Sequence, residues 1–97
     1  MKIIIRSSTL MSFLIHTGSL IKSTNPDLNF IPIYVRDGKF GIDGLKYFIS
    51  VEASKEGFLH IEISKLKCLL EVLKVIDDQP LTLVIGMNEI EVENIIF

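Results

Sequence analysis

The sequence has one cysteine, no excess of positive charge and no apolar run long enough to cross a bilayer. Each absence closes off a class of protein. Cys68 alone cannot form an internal disulfide, so nothing points to an oxidising compartment. Ten Lys and Arg stand against twelve Asp and Glu, a net charge of −2, so no global basic field draws in nucleic acid. The apolar start Met1-Lys2-Ile3-Ile4-Ile5 is broken by Arg6, Ser7 and Ser8, too early for a signal-peptide core. These features predict a cytoplasmic protein with no membrane partner. No Gly-rich loop precedes a helix and no nucleophile elbow occurs. The two histidines, the cysteine and the scattered acids lack metal-ligand spacing. The expectation is a protein without enzymatic activity, catalytic residues, metal or cofactor.

What is present is a strongly apolar small chain. Its 97 residues fit one domain, residues 1–97, with a core but little margin. A hydrophobic fraction of 48% and a mean hydropathy of +0.46 are high for a small monomer. They predict that part of the apolar surface is buried against another chain.

Lys2 to Arg6 reads as a first strand, with Ile3 and Ile5 on one face. Ser7, Ser8 or Thr9 can cap the helix that follows. Leu10, Phe13, Leu14, Thr17, Leu20 and Ile21 form the buried face of that helix. Ser8, Ser12, His16, Ser19 and Ser23 form a narrow polar strip opposite. Gly18 suggests a close approach to a neighbour, and Asn25-Pro26-Asp27 ends the helix. Phe30 to Arg36 is a strand in which Pro32 predicts an edge or a bulge. Asp37-Gly38 is a hairpin turn into Lys39 to Ile42, and Asp43-Gly44 is a second turn. Tyr47 to Ala53 reads as one strand, in which Tyr47, Ile49, Val51 and Ala53 alternate with Phe48, Ser50 and Glu52.

The last forty residues carry the clearest periodicity. Leu59, Ile61 and Ile63 alternate in a strand, with His60 on the solvent side. Leu66, Leu69, Leu70, Leu73 and Ile76 recur at helical steps within a helix expected over Ser64–Asp78, with Ser64 as cap. Cys68 falls on the flank of its apolar arc and reads as a small core filler. That arc predicts packing on a sheet and beside the first helix. Leu81, Leu83 and Ile85 form the next strand, and Gly86-Met87-Asn88 turns it. Ile90 and Val92 then face the core while Glu89, Glu91 and Glu93 face out. The predicted fold is α+β, with two helices packed on antiparallel sheet and the order β-α-β-β-β-β-α-β-β. Strand–helix–strands occurs twice, which hints at a duplicated half.

Three stretches make this order resemble a domain of the bacterial-type DNA sliding clamp (β clamp) family. They are Met1 to Ile5 running into a Leu/Phe-rich helix, the Ile33 to Val51 run of strands joined by Asp-Gly turns, and Leu59 to Val92. The resemblance covers nearly the whole chain and implies a non-enzymatic protein that assembles with itself and tethers replication proteins. Three departures stand beside it. Clamp chains carry two or three such domains, so a ring of this chain would need about six copies. The chain ends on Ile95-Ile96-Phe97, which reads as one strand short of the family pattern. Finally, the family's helices carry basic residues, whereas the strips here hold His16 and Lys22, then Lys67 and Lys74 offset by Glu71 and Asp78.

Two sets of candidate residues follow. His16, Lys22, Lys67 and Lys74 mark the helix strips that would face DNA, a contact the charge supports weakly. For His16 the plainer reading is an ordinary surface histidine. Tyr47, Ile49, Val51, Ile95, Ile96 and Phe97 mark an edge-strand interface for self-association, because an unpaired edge offers backbone pairing and apolar side chains offer burial. The reading from a different class is a small α+β interaction module of adaptor, immunity or antitoxin type that does not contact DNA.

Overall fold

The structure, a computed structural model, describes residues 1–24, 29–86, 89–93 and 95–96, with backbone alone for 20–24 and 95–96. The first half runs β1 (Lys2–Arg6), α1 (Ser7–Thr24), β2 (Phe30–Arg36), β3 (Lys39–Ile42), β4 (Phe48–Ser50) and β5 (Glu52–Lys55). The second runs β6 (Gly57–Glu62), α2 (Ile63–Leu73), β7 (Pro80–Ile85), β8 (Ile90–Val92) and β9 (Ile95–Ile96). The turns expected at Asn25-Pro26-Asp27 and Met87-Asn88 lie outside the described residues. Two antiparallel sheets form, ordered β5-β1-β7-β8-β9 and β4-β3-β2-β6.

The sheet orders reveal the duplication. Matching β1, β7, β8 and β9 with β6, β2, β3 and β4 maps one sheet onto the other, and α1 onto α2. β5 is the one strand outside this correspondence. It covers the free side of β1, and no described strand covers the matching side of β6.

Strand alternation sends every second residue inward. Ile3 and Ile5 of β1, Ile31, Ile33 and Val35 of β2, and Leu81, Leu83 and Ile85 of β7 are buried. They join Leu10, Phe13 and Leu14 of α1 and Leu69 and Leu73 of α2 in one cluster. Thr17 is buried on α1, and its hydroxyl donates to the Phe13 carbonyl at 2.8 Å, so no polar atom is stranded there. The two helices touch each other, as their wide apolar arcs require.

The helices start and stop where tertiary contacts demand. α1 begins at Ser7, directly after β1, and its cap comes from another part of the chain. The Ser8 N–H donates to Asp78 Oδ1 at 3.2 Å. Ser7 N–H donates to the Gln79 carbonyl at 2.8 Å, and Gln79 N–H donates back to Ser7 Oγ at 3.0 Å. α2 begins at Ile63 rather than at a Ser64 cap: Ile63 N–H bonds the Asn29 carbonyl at 2.9 Å, and Glu62 at the N-cap makes no side-chain bond. α2 also ends at Leu73, five residues before Asp78. Arg6 pairs with Pro80, so residues 77–79 must reach the start of α1 and cannot continue the helix. Val75 N–H accordingly reaches back three residues to the Val72 carbonyl in a tightened turn, and the Val75 side chain is left 83% exposed. Cys68 is exposed and is not the core filler its position suggested. Among the described residues nothing lies within 4 Å of a Cβ built on Gly18, so the expected close approach is not seen there.

Three strand expectations also change. Tyr47 to Ala53 is not one strand. Ile49 pairs with Phe40 in one sheet and Ala53 with Ile3 in the other. At the crossing, Val51 N–H donates to the Gly38 carbonyl at 2.8 Å. Pro32 lies on an inner strand, yet its carbonyl accepts the Asp43 N–H at 2.8 Å, one residue past the end of β3. In an antiparallel ladder a residue's N–H and C=O point the same way, so the donor proline lacks is missing where β3 has already turned away. Finally, Ile95 and Ile96 pair with Val92 and Glu91, which supplies the closing strand expected to be missing. The element order thus has nine strands where seven were expected.

Candidate functional site: sheet edges and helix surface

Four strands lie at sheet edges: β5 and β9 in one sheet, β4 and β6 in the other. Edge strands leave backbone donors and acceptors for another chain. β4 and β5 flank the single residue Val51, so the chain passes from one sheet edge to the other there. β6, with six residues, is the longest of the four and has no covering strand among the described residues.

The residues expected at the interface divide by position. Tyr47 precedes β4 and is not in a strand. Its ring stacks on Phe13 with centroids 5.6 Å apart and meets the His16 ring at 4.3 Å. Phe13 in turn contacts Phe40 at 4.9 Å. This aromatic column runs from the core to the surface of α1, so Tyr47 ties the β3–β4 turn to the helix. Ile49 and Val51 are half-buried against the core. The outward side chains of β4 are Phe48 and Ser50. An edge contact at β4 would therefore use its backbone and Phe48. Ile95 and Ile96 sit on edge strand β9, and Phe97 lies outside the described residues.

The helix candidates do not converge into a basic surface. His16 is exposed on α1, with Ser12 and Ser19 on the same strip. The backbone of Lys22 lies in the last turns of α1. Lys67 is exposed on α2, while Lys74 caps the end of that helix and pairs with Glu71 at 3.0 Å. Asp78, expected on the same strip as Lys67, instead caps α1 and pairs with Arg6 at 3.3 Å.

The sequence reading missed the outer face of the four-stranded sheet. The register places Phe58, Tyr34, Gly41 and Phe48 in one row across β6, β2, β3 and β4. The signal was present: these aromatics occupy the strand positions that alternate with the core, where polar residues are expected.

No protein-family profile and no curated protein matches the sequence. Solved structures do match by fold. Among them, a Helicobacter pylori β clamp in complex with carprofen gives a TM-score of 0.72 over 100% of this chain, at 17% identity. The present chain spans 28% of that protein's chain. The fold is therefore that of a DNA-clamp-like α+β domain.

Proposed function

We propose that this chain is a non-enzymatic, cytoplasmic clamp-like unit. In this reading it assembles through its sheet edges and tethers or modulates DNA replication proteins. The observation that carries the reading is the clamp-like fold over the full chain, combined with edge strands on both sheets. The mechanism would be topological: copies joined edge to edge would surround DNA without reading bases, and backbone pairing would supply the joint.

A second reading is an interaction module of the same fold that does not contact DNA. The helix surface favours it, since Lys74 is paired with Glu71 and the chain carries a net charge of −2. Light scattering separates the two. A ring requires a mass near six chains and salt-resistant retention on circular DNA that is lost when the DNA is linearised. A small oligomer with no retention on circular DNA removes the ring reading and leaves the module. Alanine at Lys22, Lys67 and Lys74 together tests the helix surface. Unchanged DNA association would exclude it as the contact.

A further inference from the structure

The two sheets are related by the internal duplication, but their outer faces differ in kind. Among the described residues, the outer positions of the five-stranded sheet carry Lys2, Arg6, Glu52, Ser54, Pro80, Thr82 and Val84 around one large exposed apolar residue, Ile4. The outer positions of the four-stranded sheet carry Phe30, Phe48 and Phe58, each 45–51% exposed, with half-buried Tyr34 and Pro32 between them. The equivalent strands β1 and β7 carry Lys2, Ile4, Arg6, Pro80, Thr82 and Val84 outward and no aromatic, so folding alone does not call for aromatics on the other sheet. Several aromatics gathered on one open face mark a surface that meets another protein.

The rings are also held in place. A Cβ at Gly41 would lie 2.7 Å from the Tyr34 hydroxyl oxygen, so the missing side chain is what lets the Tyr34 ring lie across β3. The Arg36 guanidinium sits 4.5 Å from the Tyr34 ring centroid, and the Lys39 ammonium 4.9 Å from that of Phe48. Phe58 meets His60 edge-on at 5.6 Å. Rings ordered in the free protein lose little entropy on docking.

Charged residues gather at the two ends of this face. Arg36 and Lys39 pair with each other in register at one end, and Glu62 pairs with Phe30 at the other. Among the described residues none of these three charges makes an ion pair. Asp37 and Glu56 lie at the same end as Arg36 and Lys39, and the Glu56 carboxylate accepts the Asp37 N–H at 2.6 Å. The two ends are six residues apart on β2, roughly 20 Å at ~3.4 Å per residue.

We infer that this face binds the same face of a second copy, sheet on sheet, with the β2 strands antiparallel. A two-fold axis lying between the sheets then brings the Arg36 end of one copy over Glu62 of the partner subunit, and the reverse. Phe58 and Tyr34 meet their counterparts near the centre. The face extends about 20 Å along the strands and about 15 Å across four of them. Two such corrugated faces packed ~10 Å apart bury on the order of 1,000 Å², the least that a specific dimer needs. Arg36 and Glu62, which make no ion pair among the described residues of one copy, come together only between copies, which selects a second copy as the occupant. This contact is separate from the sheet-edge assembly proposed above and stands or falls without it.

Sedimentation of the full chain from low to high micromolar concentration tests the inference. Four variants accompany it: Arg36→Glu, Glu62→Arg, the two combined, and Phe58→Ser. Far-UV circular dichroism and melting confirm that each is folded. The wild type should dimerise, and Phe58→Ser should weaken the dimer. Each single charge reversal should weaken it at least about tenfold, because symmetry counts every substitution twice. The combined variant should recover most of the loss. A monomer at every concentration overturns the inference. So does a dimer that none of the variants weakens, or a charge loss that the combined variant does not rescue.

Discussion

At the scale of single residues, Ser7 joins parts of the chain 70 to 72 residues apart. Its hydroxyl lies 3.2 Å from the Asp77 carbonyl and 3.3 Å from Asp78 Oδ1, and it accepts the Gln79 N–H at 3.0 Å. Ser7 is 3% exposed, so water cannot replace these bonds. Ser7→Ala should cost about 1–3 kcal/mol, as expected for a polar group left unpaired in the interior. Chemical denaturation with an unchanged m-value is the measurement. Asp78 gives the same junction a pH dependence. Hydrogen bonding from Ser8, side chain and then backbone, together with the Arg6 charge, outweighs desolvation and holds the carboxyl below its ordinary 3.8. A depressed carboxylate contributes stability fully above its unfolded value and loses it as pH falls through its folded value. Asp78→Asn should therefore be less stable than the wild type near neutral pH. The gap should close below about pH 3.8. Unfolding midpoints measured from pH 7 down to acid would show it, and a constant gap would contradict the assignment.

At the scale of elements, the turn between β2 and β3 sets the register of the four-stranded sheet. Asp37 and Gly38 have φ of 53° and 73°, the positive pair that a type I′ turn requires. Gly38→Ala places a Cβ in left-handed backbone, with the Val51 carbonyl 3.6 Å away. It should cost about 1–2 kcal/mol, read as a lower denaturation midpoint. This hairpin was legible in the sequence because turn chemistry is local. β1, β2 and β3 were legible to their last residues for a related reason, since alternation and turns agree there. The break at Val51 was not, because Ile49, Val51 and Ala53 all keep facing the core while the backbone changes sheets. The early end of α2 was hidden too. Apolar periodicity runs on through Ile76, but the pairing of Arg6 with Pro80 is a contact across 74 residues of chain. The candidate site divides in the same way. Edge strands could be anticipated, whereas the inward turn of Ile49 and the alignment of Phe58, Tyr34 and Phe48 depend on cross-strand register.

At the scale of the whole molecule, the duplicated halves share both sheets and should fold as one unit. Each half contributes strands to both sheets: β1 pairs with β7, and β2 with β6. Neither half can close its sheet or cover its helix alone. Phe13 belongs to the single core cluster that both halves share, 1% exposed, with Phe40 and Tyr47 packed against its ring. Truncating a buried phenylalanine removes its transfer energy and leaves a cavity, about 3–5 kcal/mol together. A small domain of this size has on the order of 5–15 kcal/mol in total, so the loss is a large share of it. Phe13→Ala should accordingly lower the melting temperature of the entire chain. Tyrosine fluorescence from the half containing Tyr34 and Tyr47 should move with far-UV ellipticity, which reports both halves, in one transition. Calorimetric and van't Hoff enthalpies should agree. If instead one signal kept its midpoint while the other fell, the halves would fold separately, and the shared core would not be the source of cooperativity.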